Sequence, residues 1–185
     1  MIITNILTES IPNIGRRNQM YYIEVLEALQ SKKIRYLIIG GLAVNLYGVP
    51  RVTQDIDLII SMERSNILAL ISVLKDLGYV PRLPVDPQDL ADPAKVEDWT
   101  KNKNMKAFSF YHRKDIYKVI DIVLVHPLDF ESSFKNKTVK QVKDVKIFLA
   151  SIDDLIKTKK ESGRPQDMSD IEMLERARRF LEGKK

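Results

Sequence analysis

The 185-residue chain contains no cysteine. That excludes a disulfide framework, a thiolate metal site and a thiol nucleophile, and it fits a reducing, cytoplasmic setting. Glycine and proline are sparse, at seven and eight residues, so low-complexity disorder is not expected. No apolar run approaches the length needed to span a bilayer, and no membrane partner is expected. The first residues, MIITNILTESIPNIGRR, lack a basic segment ahead of an apolar one and do not read as a secretory signal. The only two histidines, His112 and His126, have no motif around them and are assigned nothing.

Apolar residues make up 44% of the chain and charged residues 30%, which suffices for a real core. The length suits one compact domain, or one with a helical extension. The net charge is +5, favouring anionic partners such as nucleotides or RNA. Lysines crowd residues 135–160, and acids crowd residues 86–98; solvated surface explains most of both.

Periodicity predicts an amphipathic helix over 16–32, a buried strand over 35–39, a short helix over 42–48 and a strand over 55–60. A helix follows over 63–77, ended by Gly78. Residues 81–104, with four prolines and many acids, read as a long irregular insertion in which Trp99 is a packing anchor. Residues 105–112 and 117–125 suggest a hairpin, and short strands are expected within 138–149. Ser151 followed by Asp154 starts a helix over 151–162, and a last helix runs over 166–182. This order indicates an α+β fold, a mixed β-sheet packed with helices, and not regular strand–helix alternation. Residues 1–150 read as the core and 151–185 as a helical extension packed on it.

The sharpest local feature is Asp55-Ile56-Asp57 at the start of an apolar strand. Side chains two apart on a strand share a face, so two carboxylates project roughly 6–7 Å apart. Such a pair is unfavourable without a cation or hydrogen bonds, and hard divalent cations prefer oxygen ligands. A pair of strand-start acids facing water is the alternative. Gly40-Gly41 closes the preceding strand, where backbone N–H groups can approach a phosphate or simply make a tight turn. Asp121, inside the apolar run VIDIVLV, needs a cation, a hydrogen-bond network or an edge position.

The run GGLAVNLYGVPRVTQDIDLII resembles the core motif of DNA-polymerase-β-type nucleotidyltransferases. There Gly-Gly or Gly-Ser precedes a short helix and an Asp-x-Asp strand, with a third Asp on a later strand. Gly48, Arg51, Thr53, Asp55 and Asp57 are especially similar to the abortive-infection and toxin-type bacterial members and their uncharacterised relatives. Lys159, Gly163, Arg164, Asp167 and Asp170 fit a second pattern of those relatives, with Gln166 where Lys is more usual.

The resemblance implies transfer of a nucleoside monophosphate from an NTP, with Mg2+, or Mn2+ in its place, held by Asp55, Asp57 and Asp121. It also implies that Gly40, Gly41 and Arg164 contact phosphates, and that Lys159 neutralises developing charge. Arg51 and Thr53 would bind nucleotide or shape their loop, and Asp167 and Asp170 would orient the basic groups. Lys159 is expected to project from the packed body, so that Lys159→Ala leaves stability nearly unchanged. The acceptor is open between a tRNA end, a protein hydroxyl and a small molecule, and a cognate antitoxin is a further expected partner. The rivals are a non-catalytic antitoxin-like or partner subunit, and an RNA binder using residues 135–160. Neither the choice of NTP nor the oligomeric state follows from the sequence.

Overall fold

The structure is a computed structural model that describes residues 16–183. A seven-stranded mixed sheet carries the helices. Its strands are β1 (Tyr36–Ile39), β2 (Ile56–Ile60), β3 (Tyr79–Pro81), β4 (Ala107–His112), β5 (Asp115–Val123), β6 (Thr138–Val142) and β7 (Val145–Leu149). The order across the sheet is β3-β4-β5-β2-β1-β7-β6. β1 pairs with β2 antiparallel and with β7 parallel, while β2 pairs with β5 parallel. The β4–β5 hairpin, with β3 antiparallel at its outer edge, completes one side, and the β6–β7 hairpin the other.

Among the described residues the α-helices are α1 (Arg16–Ser31), α2 (Gly40–Leu46), α3 (Arg64–Asp76), α4 (Pro93–Lys101), α5 (Phe130–Lys135), α6 (Ile152–Ser162) and α7 (Pro165–Leu181). The three-to-four spacing of Tyr22, Val25, Leu26 and Leu29 buries one stripe of α1. Gln30 on α1 donates to the Asp144 carbonyl at 2.9 Å and accepts from the Lys146 amide at 2.6 Å, pinning the β6–β7 turn. Asn66 of α3 is buried and ties the start of β1 to the end of β2, bonding the Arg35 amide and carbonyl and the Ser61 carbonyl. Ser151 caps α6 by accepting from the Asp154 amide. Leu155 and Ile156 of α6 and Ile171 and Leu174 of α7 join the same hydrophobic cluster as the central strands.

Two expectations change. The short helix begins at Gly40 itself, not after the glycine pair. The supposed irregular insertion is largely ordered: a 3-10 turn (Pro87–Ala91) and α4 occupy it. Asp86 accepts from the Gln88 amide and Asp92 from the Ala94 amide, each followed by proline at the first helical position. An aspartate cap with proline at that position starts a helix, and at sequence level it looks like a breaker. Leu90 and Trp99 are buried beneath this segment, and the Trp99 ring lies 5.5 Å from that of Phe108. Trp99→Ala is therefore expected to cost about 3 kcal/mol in denaturant unfolding, the usual scale for deleting a buried large aromatic. A change under about 1 kcal/mol would mean that the segment is not part of the core.

Candidate active site

Asp57 of β2 stands directly opposite Asp121 of the parallel neighbour β5. Partners across a ladder point to one face, so two carboxylates share adjacent positions near the middle of the sheet. Asp55 lies just ahead of β2, where it feels the charge of Asp121 and adds its own to Asp57. Burial, and then repulsion from Asp121 and Asp55, pushes the Asp57 carboxyl up to about 6. Asp55 is raised by burial and by Asp121, against a lowering influence from Arg82. Asp121 Oδ1 is buried with no hydrogen-bond partner. A buried carboxylate oxygen without a donor is costly unless something positive meets it.

The glycine pair is explained first by space. Gly40 adopts φ +64°, and a Cβ built there falls 1.9 Å from Asp57 Oδ2. At Gly41 a Cβ would lie 2.8 Å from Thr53 Oγ1 and 2.9 Å from an Arg51 guanidinium nitrogen. The turn between β1 and α2 is thus laid against Asp57, Thr53 and Arg51. Tyr22 of α1 holds this loop from below, donating its hydroxyl to the Thr53 carbonyl at 3.0 Å. Burial, followed by the charges of Asp55 and Asp57, lifts the Tyr22 hydroxyl to about 12.

The basic groups divide into two kinds. Arg51 binds Asp170 at 3.0 Å while its Nε, also buried, has no partner. Arg164 is 75% exposed, pairs with Asp167 at 3.2 Å and accepts no burden from the core. Arg164 and Arg51 both act to lower Asp57. Lys159 is different. It is 5% exposed, and its ammonium donates to Asp170 at 2.6 Å and to Asp167 at 3.2 Å. The expectation that Lys159 projects freely is therefore corrected: α6 and α7 close on it as a buried ion pair. Burial works to raise Asp167, but hydrogen bonds from Ser162 and Lys159 outweigh it and hold the carboxyl below its usual range. Asp170 pairs with both Lys159 and Arg51, so the C-terminal helices are tied by charge to the glycine-pair loop.

Among the described residues, no three His, Cys, Asp or Glu side chains are gathered as a ready metal-ligand group. The donor chemistry nevertheless fits a hard divalent cation. The available atoms are carboxylate oxygens, two of them on registered neighbours, and one is buried without a partner.

A family described as nucleotidyltransferase of unknown function (DUF6036) matches residues 22–177. The chain belongs to this nucleotidyltransferase family. Comparison by sequence with curated proteins returns no match. Three solved structures share the fold of this nucleotidyltransferase. The lincomycin-bound lincosamide antibiotic adenylyltransferase LnuA has a TM-score of 0.54 at 20% identity, covering 88% of this chain and 98% of its own. The antibiotic-resistance factor ANT(2'')-Ia has a TM-score of 0.54 at 15% identity, over 91% and 86%. A putative nucleotidyltransferase from Thermotoga maritima has a TM-score of 0.51 at 13% identity, over 92% and 96%.

Tyr22, Arg82 and Ser109 also surround these carboxylates, and nothing in the sequence singles them out. Tyr22 carries the spacing of a core residue, and Arg82 and Ser109 stand in no motif.

The raised Asp57 carboxyl has a stability consequence. Its folded value lies above the unfolded one, so the folded state holds the extra proton between about pH 4 and pH 6, and stability falls as pH rises through that window. In EDTA, Asp57→Asn should stabilise the protein at pH 8 by on the order of 2 kcal/mol, and much less near pH 4. Equal effects at both pH values would refute the strain on Asp57. Lys159→Ala should instead destabilise by about 3 kcal/mol in urea unfolding, because it leaves two buried carboxylates short of their cation. An unchanged midpoint would show the pair to be exposed in solution.

Proposed function

We propose that this chain transfers a nucleoside monophosphate from an NTP to an acceptor hydroxyl, with Asp55, Asp57 and Asp121 as the reacting carboxylate set. The observation that carries this reading is the Asp57–Asp121 register beside the glycine-pair turn, with Asp121 Oδ1 left without a partner. Membership of a nucleotidyltransferase family supports the same reading.

Asp55, Asp57 and Asp121 would hold Mg2+ or Mn2+, which supplies charge neutralisation at the phosphoryl oxygens and activation of the attacking hydroxyl. The chain's own groups do the rest. The close backbone of Gly40 and Gly41 receives the phosphates, with Thr53 and Arg51 beside it. Arg51 brings a guanidinium nitrogen against the Gly41 backbone, where it adds positive charge beside the phosphates. Arg164, exposed and aimed electrostatically at Asp57, meets the charge that develops on the leaving pyrophosphate. Asp121 receives the proton of the acceptor hydroxyl. Lys159 serves by fixing Asp170, and through it Arg51, instead of touching phosphate.

The basic stretch gives less support to an RNA-binding protein without turnover. Lys137 lies 4.0 Å from the Phe134 ring centroid, burial lowers the Lys140 ammonium, and Lys159 is enclosed, so these three are engaged within the protein. An antitoxin-like partner without activity would have no use for an unpartnered Asp121 oxygen. Among the described residues no helix is long and apolar enough to cross a membrane, which is compatible with a cytoplasmic enzyme.

NTP binding followed by calorimetry should require divalent cation. Affinity is expected to fall about a hundredfold in EDTA, since clustered carboxylates repel a triphosphate. With labelled NTP, Asp121→Asn should lose transfer by about a thousandfold while retaining most of the NTP affinity. NTP affinity that ignores EDTA would remove the cation from the mechanism, and full transfer by Asp121→Asn would remove Asp121.

A further inference from the structure

The carboxylate pair is part of a longer row. Asp57 faces Asp121 across β2 and β5, and Asp121 faces Ser109 across β5 and β4. The ladder between β3 and β4 runs through Pro81 and Phe110, and one step further the Arg82 amide donates to the Ser109 carbonyl at 2.9 Å. Arg82 and Ser109 are therefore cross-strand partners on the same face as the two aspartates. Reading across the sheet, the row is Asp57, Asp121, Ser109, Arg82.

This row has two unlike ends. At the Asp57 end stand the glycine turn, Arg51 and Arg164, which the proposed reaction uses for the triphosphate. At the other end Arg82 is exposed and within electrostatic range of Asp55. It makes no ion pair or side-chain hydrogen bond among the described residues. The acids that follow it are already engaged: Asp86 and Asp92 cap helical turns, and Asp89 binds Lys95 at 2.5 Å. The segment's negative charge thus leaves Arg82 available. Ser109 is half-buried between it and Asp121, with a hydroxyl that can donate or accept.

We propose that Arg82 and Ser109 form the acceptor subsite, and that the acceptor hydroxyl is one with a phosphate ester beside it. The inference rests on the nucleotidyl-transfer reading of the same site. In an in-line displacement the attacking hydroxyl enters opposite the leaving pyrophosphate. With pyrophosphate at the Arg51 and Arg164 end, the acceptor approaches over Asp121 from the Ser109 and Arg82 end. A guanidinium at that distance down the row suits a phosphate, which it grips bidentately, better than a neutral or cationic polyol. The step balances simply. The acceptor oxygen forms a bond to the α-phosphorus, the bond from that phosphorus to the bridging oxygen breaks, pyrophosphate leaves, and the hydroxyl proton passes to Asp121.

The test uses the full chain with labelled NTP and three acceptors: a short RNA with a free 3′ hydroxyl, ribose 5-phosphate, and ribose. NTP binding is measured alongside by calorimetry. Wild type should label a phosphate-bearing acceptor and leave ribose almost untouched; which of the two is labelled identifies its source. Arg82→Gln should raise the acceptor KM about tenfold or more, with kcat and NTP affinity within about twofold and an unchanged melting temperature. Arg82→Lys should recover part of the loss, and Ser109→Ala should raise only the acceptor KM, by about threefold. Labelling of ribose as well as of the phosphate esters, labelling of neither ester while NTP binds, or indifference to Arg82→Gln would overturn the subsite alone. Failure of wild type to bind any NTP would overturn the nucleotidyl-transfer reading and the subsite with it.

Discussion

Repulsion between Asp57 and Asp121 is the constraint around which the rest of the molecule is arranged. Parallel pairing of β2 with β5 fixes their backbones side by side, so the two charges have no freedom to separate beyond side-chain rotation. Ile56, Leu58, Ile120 and Ile122, on the opposite face of the same strands, are fully buried and hold that pairing by packing. The hydrophobic face thus secures an arrangement that the polar face resists. Local strain of this kind persists only when the surrounding structure over-determines it.

The C-terminal helices answer that charge from a distance. Their acids and bases are organised around Lys159, a buried cation with two carboxylate partners, and Asp170 reaches out of that cluster to Arg51. A single carboxylate therefore couples the packing of α6 against α7 to the orientation of a guanidinium in the loop after α2. Helices that look like an appendage in the sequence are part of the site's framework.

Much of this was legible in the residues, for identifiable reasons. Strands β1 and β2 are short apolar runs with clear limits, and α1, α3 and α6 carry regular apolar spacing or a serine cap, so local pattern and tertiary burial agree. The Asp55-x-Asp57 pair and Asp121 stood out because acids are rare in apolar strands. What was not legible depended on pairing between distant segments. Ser109 gains meaning only from lying opposite Asp121, and Arg82 only from lying opposite Ser109. Residues 81–104 look irregular in sequence because their Asp-Pro steps both break one element and begin the next. Lys159 flanks a glycine turn, a place where side chains can project, and its enclosure comes only from a second helix folding back past Gly163, whose φ of +62° makes the turn.

The approach of Asp57 to Gly40 limits how this protein can vary over evolutionary time. A methyl group at position 40 would sit inside the carboxylate it faces, and the positive φ there disfavours any side chain independently. No single substitution at position 40 is neutral while Asp57 keeps its conformation. Nor does a longer acid fit easily at position 57 while the turn stays closed. The two positions form a lock in sequence space, so a lineage that abandons the carboxylate is released from the glycine, and only then can the turn drift.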